Sequence, residues 1–172
     1  MMMQMLHAGG LPLLIDQIRP ANPANPAGYF EFEPVKRLRE DASWLGQARG
    51  KGVKIISPLL YALPDQFDYQ ILFMQRSLDQ IMASQRAMIE EQSRAVNIHE
   101  DNELRGHFEQ HLEAVESWLQ EQSNMAVLPV TYLDVIDNPL EAARQIASFL
   151  CIEVSLQHMA QAVRPDLLRQ RN

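Results

Sequence analysis

Cysteine is nearly absent from this chain of 172 residues, with Cys151 standing alone. One thiol excludes any intrachain disulfide, and a chain built without disulfides suits a reducing compartment, so a cytoplasmic location is expected. There is no uninterrupted apolar run of about eighteen residues, the length a membrane span needs. The opening MMMQMLHAGGLPLLID has no Lys or Arg ahead of its short apolar stretch, so no export signal is expected either. Basic charge is also scarce: 15 Lys and Arg against 22 Asp and Glu give a net charge of -7 and a pI near 5.2. A general nucleic-acid binder carries a basic face, so nucleic acid and membrane are not expected as partners, and any anion site must be local. No internal repeat, low-complexity tract or compositional break divides the chain. With 47% hydrophobic residues, one domain spanning 1–172 is expected.

What is present alternates between two kinds of pattern. Residues 1–8 read as the tail of an apolar helix closed by Gly9 and Gly10, its methionines forming a packing surface. The segment PANPANPAGYFEFEP at 20–34 reads as a surface loop or lid, after which Pro34 suits a first helical turn and Val35, Leu38 and Leu45 supply apolar contacts. VKIIS at 53–57 and YQILFM at 69–74 read as strands buried on both faces, and AVLPVTY at 126–132 as a third strand that Pro129 consigns to an edge. Helices are expected at 77–95, 102–122 and 139–150. Asn138, Pro139 and Glu141 supply the start signal of the last one, and a short helix should follow from Ser155 to before Pro165. Buried strands alternating with helices imply an α/β layer fold with a mainly parallel sheet, in which ligands bind beyond the carboxyl ends of the strands.

Arg76 falls at such an end. Ser77 and Gln80 form a capping box for the helix that follows, and Ser84 shares a line with Ser77 at the edge of the buried arc. A guanidinium and a hydroxyl so placed could grip one phosphate together. From the residues alone, the alternative is an arginine reaching solvent or an acidic neighbour and a serine filling a small gap beside the sheet.

Over nearly its whole length the chain resembles the sulfotransferase family, whose members move a sulfuryl group from 3'-phosphoadenosine 5'-phosphosulfate (PAPS) to hydroxyls or amines. The resemblance implies that Arg76 and Ser84 hold the donor's 3'-phosphate. VTYLDVIDNPLEAARQIASFL looks like the family's later strand, Tyr-x-Asp turn and helix, which implies a place near the adenine for Tyr132 and matches Asp134 to the motif. NPAGYFEFEPVKRLRED is similar to an acceptor-side segment of bacterial members, and LLRQRN to their C-termini. The implied fold is three-layered and P-loop-like, the implied donor is PAPS, and no metal is called for.

Three family features are missing. The seven glycines, at 9, 10, 28, 46, 50, 52 and 106, form no phosphate loop, and MMMQML looks like the helix that should follow one. The expectation is therefore an N-terminally incomplete or altered domain, without its first strand and phosphate loop and impaired in catalysis. In KIISP, Lys54 stands where cytosolic members have a lysine, but Ile56 replaces the histidine base two residues on. Some branches use a glutamate, which makes Glu31, with Glu33 beside it, the candidate base and Lys54 a stabiliser of the transferring group. No Arg-Lys-Gly segment occurs, and Arg169 and Arg171 are its nearest substitutes.

His107 and His111 share a helix face but have no third ligand, so they read as a solvated or partner-facing pair and not a metal site. Cys151 reads as core rather than nucleophile. A noncatalytic nucleotide-binding or protein-interaction domain, with a second copy covering exposed strand edges, is the rival reading. A small-molecule kinase is disfavoured because the phosphate-loop lysine motif is absent. The acceptor, whether small molecule or protein, is not legible.

Overall fold

Along β1 (Tyr69–Gln75) and β2 (Met125–Thr131) successive side chains point to opposite faces, and apolar residues occupy both. The computed structural model of the chain describes residues 1–16, 18–19, 28–82 and 98–164. Within these the two strands pair in parallel, matching Tyr69 with Met125 and Gln75 with Thr131. Ile71, Phe73, Met125 and Val127 enter one hydrophobic core, while Leu72, Met74, Leu128 and Val130 enter a second. The architecture is thus mixed α/β, with helices or turns over each face of a parallel pair, the usual condition of parallel strands. Pro129 is exposed within β2, as an edge strand permits.

The second core is covered by regular helices. α1 (Met2–Gly9) contributes Met2, Met5 and Leu6, and these meet Ile146 and Met159 from two helices near the end of the chain. Unbranched thioethers fill irregular gaps well, so the methionine-rich opening is indeed packing surface. The two glycines that close α1 serve different ends. A Cβ on Gly9 would sit 2.6 Å from Met159 Cγ, whereas Gly10 has φ 99° and supplies the left-handed turn that stops the helix.

β2 runs directly into α3 (Tyr132–Asp137), then α4 (Pro139–Leu150) and α5 (Leu156–Gln161). α4 begins and ends where its sequence signals put it, but the expected capping box is not made. The Asn138 side chain makes no cap bond, and Glu141 pairs with Arg144 instead, at 3.2 Å. The reason is local: the Asn138 backbone N–H already closes α3 by donating to the Asp134 carbonyl, and Pro139 starts the next helix by its fixed φ. α5 is capped as expected, Ser155 Oγ accepting from the His158 N–H at 3.4 Å. Cys151 departs from expectation. It is exposed, not core, because it occupies the left-handed position after α4 (φ 53°), where its N–H returns to the Ala147 and Ser148 carbonyls.

The other core is covered by α2 (Ile98–Glu121) and by three 3-10 turns, Glu33–Arg37, Ser43–Ala48 and Ser57–Ala62. Val35, Leu38, Trp44, Leu45 and Leu60 pack there against Phe73, Val115 and Leu119. Phe32 meets Trp44 edge-on at 5.3 Å between ring centroids. The strand expected at 53–57 is not formed. Gly52 bridges Leu13 in isolation, and the chain then runs extended until Ser57 opens a 3-10 turn with Pro58 inside it. Nor is this segment buried on both faces: Val53 and Ile55 lie against the core, but Lys54 is exposed and Ile56 is 59% exposed. Among the described residues no helix is long and apolar enough to cross a membrane.

Candidate functional site

The register of the sheet brings two of the sequence-predicted residues together. Because the last matched pair is Gln75 with Thr131, the next residues, Arg76 and Tyr132, are neighbours at the carboxyl mouth of the strands. The Arg76 guanidinium carbon lies 3.8 Å from the centroid of the Tyr132 ring, a cation held over an aromatic face. Just below, Gln75 Nε2 donates to Glu116 Oε1 at 2.9 Å and ties the end of β1 to α2. The turn that follows Arg76 is capped as the sequence implies, Ser77 Oγ accepting from the Gln80 N–H at 3.3 Å. The reciprocal half of that box is not made: Gln80 Oε1 is buried with no partner among the described residues. Ser84, Arg169 and Arg171 lie outside the described residues.

Glu31 and Lys54 also meet. Lys54 Nζ is 3.3 Å from Glu31 Oε1 and donates to the Tyr29 carbonyl at 3.2 Å. Glu31 Oε1 accepts as well from Arg19 Nη1 at 3.5 Å, and the Arg19 guanidinium lies 3.5 Å over the Tyr29 ring. Glu33 is not part of this cluster, its carboxylate being paired at 2.7 Å with Lys36 one turn along.

The cluster depends on residues that the sequence did not single out. Asp16 Oδ1 accepts from the Ile18 N–H at 3.1 Å, its Oδ2 accepts from the Glu33 N–H, and its own N–H donates to the Glu31 carbonyl at 2.9 Å. Asp16 therefore holds the chain at both Glu31 and Glu33. Only the Ile18 contact, an Asx turn two residues on, is local enough to leave a trace in the sequence. Phe30, just before Glu31, has φ 52°, a left-handed conformation that non-glycine residues rarely adopt, with its ring 6.2 Å from that of His7.

Burial, then repulsion from Lys54 and Arg76, holds the Met1 amine below its ordinary pKa, so Met1, Lys54 and Arg76 are close enough to feel one another's charge.

A further polar contact was missed entirely by sequence reasoning. Ser57 Oγ lies 2.8 Å from His111 Nε2 across 54 positions, in a partly buried setting, and no local pattern announces it. His111 is thus engaged within the protein and not simply solvated. A groove of about 380 Å³ runs between α2 and the sheet, with Gln75, Glu116, Phe73 and Leu119 in its wall. A wider depression of about 460 Å³, beside Leu128 and Phe149, contains none of the predicted site residues. Comparison with protein-family models, with curated proteins and with solved structures finds no match to the chain.

Proposed function

We propose that this chain is a sulfotransferase-like, P-loop-like domain that binds the 3',5'-phosphorylated adenosine of PAPS at the carboxyl mouth of β1 and β2. In intact form such a domain transfers a sulfuryl group from that donor to a hydroxyl or amine. The observation that supports the reading is the placement of Arg76 over Tyr132, one residue beyond each end of the paired strands. Ligands of open parallel sheets bind there, and a guanidinium braced on an aromatic face keeps its N–H fork free for a phosphate.

Calorimetry with adenosine 3',5'-bisphosphate tests this. A charge-assisted hydrogen bond contributes roughly 1.5 to 3 kcal/mol, so Arg76→Ala should weaken binding by at least about tenfold. Equal affinity of the two proteins would overturn the assignment.

A further inference from the structure

We infer that Ser57 and His111 form the proton-accepting site for the acceptor hydroxyl, a role the sequence assigned to Glu31. This rests on the transferase reading above and adds its acceptor side. Glu31 is poorly available for that role, because its Oε1 is occupied by Lys54 at 3.3 Å and by Arg19 at 3.5 Å instead of being open toward a substrate. Ser57 and His111 carry no such burden. Their 2.8 Å separation is within the range over which a hydroxyl passes its proton to an imidazole, and among the described residues neither group is paired with a carboxylate.

Their position in the fold also fits. Glu116 is level with Gln75, the last residue of β1, and α2 runs toward the sheet's carboxyl side as residue numbers fall, since its C-terminal end feeds the start of β2. His111 lies five residues earlier, so along the helix axis it stands roughly 7 Å beyond the level of the strand end at 1.5 Å per residue, and about 140° around α2 from Glu116, on the flank that Ser57 covers. Ser57 ends the extended stretch that carries Lys54, three residues before it.

The surroundings indicate the class of acceptor. Ile56, next to Ser57, is 59% exposed, and Tyr61, on the same 3-10 turn, is 43% exposed. The Tyr61 ring packs 4.7 Å from that of Trp118, which follows His111 by two turns of α2. A hydroxyl and imidazole flanked by uncovered apolar and aromatic surface suit a phenol or an apolar-bodied alcohol. With Nε2 bare, the Ser57 hydroxyl donates to it. The acceptor O–H gives its proton to Ser57 Oγ as the Ser57 proton passes to Nε2. In a domain holding the donor, the acceptor oxygen would then bond to sulfur as the bond from sulfur to the bridging oxygen breaks, its electron pair leaving on the nucleotide's phosphate.

4-Nitrophenol reports on this directly, because its phenolate absorbs in the visible and its neutral form does not. Added to the whole chain in mildly acid buffer, it should bind saturably with a rise in the phenolate band. His111→Gln should abolish that rise, Ser57→Ala should reduce it at least tenfold, and Ser57→Thr, which restores a hydroxyl, should recover most of it. Circular dichroism confirms that each variant is folded. A phenolate signal that is absent from the parent chain, or unchanged in folded His111→Gln, overturns the inference. If 4-nitrophenol behaves as expected while adenosine 3',5'-bisphosphate fails to bind, the donor-site reading falls and the hydroxyl site stands.

Discussion

The two faces of the β1–β2 pair are both apolar and both covered, yet they are made in different ways. One is roofed by α1, α3, α4 and α5, regular helices whose buried residues recur at helical spacing. The other is roofed by α2 and by short 3-10 turns linked through extended stretches, which contact one another across long intervals of sequence. The polar clusters follow that division. Glu31, Lys54, Asp16, Ser57 and His111 all belong to the irregular side, and only Arg76 and Tyr132 sit at the sheet's own edge. Regular helices give a stiff wall. Loops braced by side-chain hydrogen bonds can hold charged groups at angles a helix does not offer.

Substitutions can sharpen this contrast. The largest effect is expected on the helical face: Ile146, 1% exposed, loses three carbons to a closed core in Ile146→Ala. The cost should be about 2 to 5 kcal/mol, measured by urea unfolding, with nucleotide affinity unchanged in the protein that remains folded. On the irregular face, Asp16→Ala removes two charge-assisted contacts to backbone N–H groups. A smaller loss, about 1 to 2 kcal/mol, is expected because the clamp is partly exposed. It should also release Glu31 from Lys54, seen as a changed Lys54 Nζ resonance by NMR. Were Ile146→Ala the milder of the two, the division of labour between the faces would be wrong. The smallest effect is a gain: Cys151→Gly relieves a left-handed residue after α4 and should raise stability by about 1 kcal/mol, the strain of that conformation for an L-residue.

The same division decides what could be read from the sequence. α1, β1, β2, α4 and α5 were legible because each is a contiguous run with its own periodicity and end signals, such as Gly10 after α1 and Pro139 opening α4. Arg76 was legible at a strand end, but its contact with Tyr132 depends on the register between the two strands, which neither run encodes by itself. The extended run at 53–56 misled because a short apolar stretch looks like a buried strand whether or not it has a ladder partner. Cys151 misled because the position after a helix is decided by backbone conformation and not by the apolar character of the preceding residues. Asp16 and the Ser57–His111 contact were invisible, since a side chain that bonds to backbone or imidazole tens of residues away leaves no local pattern.

The central claim, that a nucleotide lodges where Arg76 meets Tyr132, is tested most directly by NMR during titration with adenosine 3',5'-bisphosphate. The Arg76 Nε–H signal and the Tyr132 ring signals should shift together and saturate at one concentration, as the phosphate meets the guanidinium and the base meets the ring. Saturable shifts confined to other residues, with both of these unmoved, would contradict it.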